Sequence, residues 1–493
     1  MASSLARSPT PHKRILATPF GQTLSEVNQR LLYPFFNNGG RFITISQLAS
    51  KFIGTDGSSM ILSKKMVGAT PTPSLHDAFI VWLRIGLLSF GGPAAQIALM
   101  HREIVESRQW LSEKQYLNAL SFCMLLPGPE AMQLATYTGW RLHGTIGGLM
   151  AGLLFVLPGA IVILLLALLY ASFGDITLFQ SFFIGIKAAV IAIVIQALAR
   201  VAQRALVSIE YYLIAILAFV GIFFFSLPFP YLIIAAGIYG LLKHTSEPQR
   251  ESETSRATVS VRQTLMTVAT WLVLWLTPIG IMMLIFPNSI LAELGVFFST
   301  LAVVTFGGAY AVLSYMAQDV VSQHQWLSAS QMMDGLGLAE TTPGPLILVT
   351  EFVGFMAAAS GGGLALGVLG ALVSLWATFM PCFLWIFAGA PYVDWIAEQP
   401  RLRSALTAIT AAVVGVIFNL SLWFALHVFF REVDQYHQGP LTLWVPSLSS
   451  IDTIATLLFA GGAVLFFKYR WGVVPLLALL SLLGVGLSLV LSQ

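Results

Sequence analysis

Phe90-Gly91-Gly92-Pro93 opens a 40-residue stretch that runs through Gln109-Trp110-Leu111-Ser112 and closes on Leu126-Pro127-Gly128-Pro129. It returns once, 216 residues later, as Phe306-Gly307-Gly308-Ala309, Gln325-Trp326-Leu327-Ser328 and Thr342-Pro343-Gly344-Pro345. Laid over each other without a gap, the two agree at 15 of 40 positions, more than shared apolar composition yields, so the chain is a duplicated unit. Both copies set glycine and proline, which interrupt helices, inside apolar sequence. Interrupted apolar segments at matching places in two halves point to the binding site of a transporter.

Composition fixes the class around that repeat. Hydrophobic residues make up 57% of the chain and charged residues 10%, with apolar runs of 20 or more, beyond what a soluble core requires. The expected fold is an all-α polytopic membrane protein. Cys123 and Cys382 both lie in apolar segments without metal-ligand spacing, so neither a disulfide framework nor a zinc site is expected. The eight histidines form no metal-binding pair, and no GxxxxGK[ST] phosphate loop is present. An enzyme, a cofactor site and transport powered by ATP on this chain are therefore not expected. The net charge of +3 reports loop orientation in a membrane protein and gives no reason to expect nucleic acid.

The chain divides into a polar, basic tail (residues 1–74), a first repeat (75–242), a linker with a connecting transmembrane helix (243–288) and a second repeat (289–493). The tail lacks a signal peptide's apolar region and is expected in the cytoplasm. An organelle transit peptide, or translation starting at Met60 or Met66, are the other readings. Six apolar segments precede the linker, one follows it and six make up the second half, which gives 13 spans if each crosses. The odd connecting segment inverts the second half relative to the first.

Lysine and arginine positions test that count, because cytoplasmic loops hold them. Simple alternation places the tail, Arg200, Arg204, the linker, Arg401, Arg403, Lys468 and Arg470 on one side, the cytoplasm. It also places Arg102, Arg108 and Lys114 outside, and the matching loop 318–331, which has no lysine or arginine, inside. Both conflicts vanish if the four motif-bearing segments are re-entrant hairpins turning at FGG and PGP. Nine segments then cross, with the N-terminus cytoplasmic and the C-terminus external. Full spans broken at the same motifs are the alternative reading. Irregular backbone at such depth survives only inside protein or beside a water-filled cavity.

The breaks bring chemistry with them. Pro93 and Pro129 suit the first turn of a helix, and the free N–H groups of such a start carry partial positive charge. Gly91, Gly92, Pro93, Pro127, Gly128, Pro129, Gly307, Gly308, Pro343, Gly344 and Pro345 are thus the backbone of a candidate anion site. Gln133, Thr341 and Thr342 would add neutral hydrogen bonds, or serve only as helix-packing residues. Lys187 lies deep in its segment, where a cation costs about 3 kcal/mol without an anionic partner or substrate. Arg84 stands seven residues before Gly91, about 10 Å of helix rise, and is expected either at the anion or paired with an acid such as Glu130. Glu130, Glu340 and Glu351 flank the breaks as candidate proton carriers or as counter-charges for Arg84 and Lys187.

SRQWLS (Ser107 to Ser112), LPGPEAMQLATYTGW (Leu126 to Trp140), ETTPGPLILVTEFVGF (Glu340 to Phe355) and LTAITAAVVGVI (Leu406 to Ile417) resemble the chromate ion transporter (CHR) family, in its long two-domain form. The resemblance covers residues 74–492. It implies an inner-membrane protein that expels chromate and confers chromate resistance, with sulfate as the similar competitor and oppositely oriented halves. The family commonly has glutamine where this chain has Glu351, which counts against a direct ligand role there. Moving a dianion out of a cell negative inside releases about 4.6 kcal/mol per 100 mV, enough for a concentration ratio on the order of 2000. Membrane potential therefore suffices, and proton exchange through Glu130 or Glu340 is optional. A sulfate or other oxyanion transporter, or an anion channel, are the alternatives on the same fold. A monomer and a homodimer are equally compatible with the sequence.

Overall fold

Apolar segments in a bilayer must satisfy their own backbone groups, and this chain does so with helices. The structure, a computed structural model, describes residues 73–174, 176–243, 260–304, 306, 308–397 and 399–491. The expected tail falls outside the described residues except for its last two positions, as do most of the linker and Gly307. The first half comprises α1 (Leu75–Leu88), α2 (Gly92–His101), α3 (Glu113–Cys123), α4 (Glu130–Phe173), α5 (Thr177–Ala205), α6 (Ile209–Phe223) and α7 (Phe229–Leu242). Helix α8 (Val261–Ile285) connects it to α9 (Ile290–Val304), α10 (Ala309–Gln318), α11 (Ala329–Thr341), α12 (Val349–Gly389), α13 (Val393–Ala397) and α14 (Pro400–Phe429). A hairpin of β1 (Val433–Gln438) and β2 (Leu441–Pro446) follows, then α15 (Thr453–Ala463) and α16 (Val473–Leu491). Among the described residues, six helical stretches are long and apolar enough to cross a membrane: 130–173, 179–205, 261–285, 346–392, 400–429 and 473–490.

Two of those six are not straight. In α4 the helical geometry fails at His143 and Gly144 (φ 62°), and in α12 at Gly362 and Gly363 (φ 73°). Gly139 and Gly147 pack backbone to backbone, and Thr136 lies against Gly148 and Gly152. Eight residues of straight helix would separate Gly139 from Gly147 by about 12 Å, so the chain doubles back at the glycine. Gly354 meets Gly370 and Ser374 in the same way. Each long element is therefore a short arm, 130–142 or 349–361, folded against a long span, 145–173 or 364–389. The two long spans pack on each other, Gly148 against Phe387 and Gly152 against Phe383, which sets them antiparallel. Glycine at these contacts lets backbones approach where lipid provides no hydrophobic drive.

The Gln-Trp-Leu-Ser repeat turns out to be a turn and a cap. Gln109 and Gln325 both hold φ 53°, a left-handed corner. Trp110 N–H donates to Ile104 O (2.8 Å) and Trp326 N–H to Val320 O (3.0 Å), closing π-helical turns at Arg102–Ser107 and Asp319–Gln323. Ser112 and Ser328 then start α3 and α11 with full capping boxes, answered by Gln115 and Gln331.

Helices α6 and α7 have 15 and 14 residues, about 22 and 21 Å, shorter than a hydrocarbon core of about 30 Å. They run antiparallel along α14, Gly415 packing on Ala215 and Gly240 on Ala405. Tyr239, at the end of the pair, bonds Glu210 at its start (2.9 Å). The expectation of an all-helical chain misses β1 and β2, which pair antiparallel and bond through Thr442 N–H to Phe224 O (2.7 Å) at the turn of that pair. Helix α16 packs on α5 through Gly185 and Gly484.

Replacing Gly147 by leucine drives a side chain into the Gly139 backbone, where little can yield. The expected loss is about 1–3 kcal/mol, seen as a lower thermal unfolding midpoint in detergent. Gly280→Leu, where the added carbon meets open space, is expected to leave the midpoint unchanged.

Candidate functional site

The four breaks meet, and they meet crosswise between the halves. At the first break Gly91 (φ 86°) caps α2, whose first turn carries Pro93. The broken chain there leaves Ser89 O free, and it accepts from Gly344 N–H (2.9 Å) at the second half's Pro-Gly-Pro. Gln96, buried one turn into α2, clamps the pair, its Nε2 donating to Gly344 O (2.6 Å) and Ser89 O (3.3 Å). The other crossing joins the first half's Pro-Gly-Pro to the second half's glycines. Gly308 (φ 94°) caps α10, and the Glu130 carboxyl at the start of α4 lies against it. Tyr310, two residues further, faces Gly92 and donates to Glu340 Oε1 (2.9 Å), so one tyrosine touches both crossings.

Within this junction Pro127, Gly128, Pro129, Pro343, Gly344 and Pro345 are buried. Gly128 (φ 109°) lies against Cys382 Sγ, and Gln133 Nε2 donates to Pro127 O (2.7 Å). Gln96 Oε1 and Gln133 Oε1 are buried without hydrogen-bond partners among the described residues. Thr341 and Thr342 donate their hydroxyl protons to their own helix, at Leu338 O (2.8 Å) and Ala339 O (3.1 Å). In this conformation neither threonine has a proton to offer an oxyanion.

Lys187 lies apart from the breaks, in a second polar group. Its Nζ is 3.2 Å from Asp334 Oδ1 and donates to Ser330 Oγ (2.5 Å). The Tyr170 hydroxyl donates to Asp334 Oδ2 (2.8 Å). These four residues line a cavity of about 700 Å³, together with Gln331 and the apolar Phe183 and Met356. The cavity lies where Gly174, Gln180 and Ser328 mark element ends, so it sits toward one end of the helical body. Asp334 and Glu340 share α11, six residues or about 9 Å apart, so a single helix connects cavity and junction.

Two other expected residues stand elsewhere. Arg84 is on the exposed face of α1 beside Ile80, Leu87 and Leu88, and no ion pair involves it among the described residues. Glu351 is 1% exposed, and its Oε2 has no hydrogen-bond partner among the described residues. Asp334, Tyr170, Ser330, Gln96 and Tyr310 were not anticipated as site residues. Only Asp334 carried a signal in the sequence, as an acid inside an apolar segment.

The family model described as "Chromate transporter" matches residues 76–241 and 292–487, one segment in each half. The chromate transport protein of Pseudomonas aeruginosa is 31% identical over 411 residues, covering 82% of this chain and 89% of that protein. That of Cupriavidus metallidurans is 30% identical over 353 residues, 71% of this chain and 82% of that protein. The probable chromate transport protein of Synechococcus elongatus is 29% identical over 361 residues, 72% and 86%. No solved structure matches the chain.

Gln96→Leu leaves Gly344 O without its side-chain donor, and the expected cost is about 1–3 kcal/mol in thermal unfolding. Glu351→Gln keeps the shape of a side chain with no ionic partner and is expected to unfold like the parent.

Proposed function

Since the chain belongs to the chromate transporter family, we propose that it is a secondary transporter that exports chromate from the cytoplasm, driven by the membrane potential. The observation that carries this reading is the crossed junction. Breaks from both halves, each opening a helix, converge on one place in the protein. Helix starts offer free N–H groups and partial positive charge to an anion held there. Lys187 stands apart from that junction, about a third of the way along α5, and puts a full positive charge beside the separate cavity.

The membrane arrangement belongs to the same proposal. The arms of α1 and α2 form one re-entrant hairpin, and α3 with 130–142 forms another. Phe122 and Tyr137 face each other across the latter (ring centroids 6.4 Å), as antiparallel arms require. His143 Nε2 lies 2.7 Å from Pro73 O, which sets the start of α1 and the end of that arm at one level. The second half repeats the plan from the opposite face, supported by the antiparallel packing of 145–173 on 364–389. With Arg102, Arg108, Lys114, Arg204, Lys243 and Arg401 on the cytoplasmic side, the cavity beside Lys187 opens outward. The protein is a multi-pass membrane protein, and its proposed location is the inner membrane. Glu130 and Glu340, at the two crossings, are the proposed positions for proton exchange if it accompanies export.

Radiolabelled chromate uptake into everted vesicles tests the function. Saturable uptake that follows an imposed potential and persists in excess sulfate is expected. Uptake abolished by modest sulfate assigns the protein to sulfate, and a flux that never saturates assigns it to a channel.

A further inference from the structure

We propose that the cavity beside Lys187 is a second binding site for a tetrahedral dianion, with Asp334 as a resident counter-anion that the substrate displaces on arrival and that retakes Lys187 on release. The inference rests on the reading of the chain as an oxyanion transporter and adds to it a site separate from the helix breaks.

Three features of the cavity fit this role. Lys187 keeps part of its side chain exposed (17%) to a space of about 700 Å³, so a small ion can reach its ammonium group. The start of α11 opens onto the same space, with the Ser330 hydroxyl beside the ammonium. The capping box uses Ser328 N–H and Gln331 N–H, leaving the Ala329 and Ser330 N–H groups of the first turn out of it. A lysine charge, a hydroxyl and a helix start together form a donor set for an oxyanion.

Asp334 is the third feature. Its side chain is 5% exposed, and its two oxygens have different partners: Tyr170 donates to Oδ2, while Oδ1 makes the ion pair with Lys187 at 3.2 Å. A carboxylate whose second oxygen is held by a tyrosine can give up the ammonium and keep that bond. It therefore has somewhere to stay when an anion takes its place.

That arrangement selects by charge. A monoanion offers Lys187 no more than Asp334 already does, whereas a dianion brings twice the charge to the ammonium and the helix start. Chloride and nitrate are thus excluded by competition with the protein's own carboxylate. The same competition speeds release, because Asp334 returns to Lys187 as the dianion leaves. In the proposed orientation the cavity opens to the outside, so this is an exit site that discourages rebinding.

The test combines equilibrium binding of radiolabelled sulfate and chromate to purified protein with chromate uptake in everted vesicles. Asp334→Asn is expected to bind both dianions about tenfold more tightly and to turn over more slowly, since the competing charge is gone. Lys187→Gln is expected to lose the dianion bound at this cavity, lowering the number of ions bound per protein. The double variant Lys187→Gln with Asp334→Asn, which restores charge balance, is expected to unfold like the parent yet remain inactive. Ser330→Ala, which alters only a hydroxyl, is expected to weaken dianion binding severalfold. Recovery of transport in the double variant would make the ion pair purely structural and overturn the proposal. Unchanged affinity in both Asp334→Asn and Ser330→Ala, or chloride competing as well as sulfate, would overturn it too. A parent protein that binds and transports neither dianion would instead defeat the transporter reading itself, and the exit site with it.

Discussion

A helix interrupted inside a membrane exposes backbone groups that lipid cannot satisfy, and in this protein the interruptions of the two halves meet, one crossing closed by hydrogen bonds between the halves. Ser89 O at one break takes the Gly344 N–H of the opposite one, and Gln96 secures both. The Glu130 carboxyl lies against Gly308 across the junction. The first half's broken turn and the second half's Pro-Gly-Pro thus satisfy each other, which gives a physical reason for both copies to remain in one chain. Helix starts held in this way are fixed by protein and not by lipid, the condition under which irregular backbone persists at depth. The glycines with positive φ, Gly91, Gly128, Gly308 and Gly344, let the chain turn sharply enough for four ends to share one place.

Burying a lysine imposes a second constraint, answered locally. Asp334 and Ser330 contact the Lys187 ammonium, Tyr170 holds Asp334 in place, and together they make the charge tolerable in an apolar setting. Because Asp334 and Glu340 lie on one helix, movement of α11 alters the cavity and the junction together. Such a shared rigid element is what a carrier needs if occupancy at one place is to be felt at another.

The duplication and the breaks were legible because glycine and proline in apolar sequence have few other uses, and because both copies carry them in register. The Gln-Trp-Leu-Ser repeat was visible as a motif, but its work is local: left-handed glutamines and serine caps shape the return to the next arm. Reversal at Gly144 and Gly363 was hidden, since a lone glycine in a long apolar run looks like a packing residue. Asp334 differs from nearby Glu340 in standing outside any motif, so only its burial distinguishes it. Arg84 shows the converse: nearness to a break in sequence did not bring it to the junction, because helical phase sends it to the outer face of α1. The strands β1 and β2 lie in a polar connection whose alternation is too short to stand out.

The central claim is that the two sets of hairpins approach one junction from opposite faces of the membrane. Gln109 and Gln325 occupy the same left-handed corner in the two copies, and the native Cys123 and Cys382 are buried. Single cysteines placed at these two positions and treated with a membrane-impermeant thiol reagent give the most direct measurement. The account predicts that Gln325→Cys labels in intact cells, and that Gln109→Cys labels only in everted vesicles. Labelling of both from the same face would contradict it.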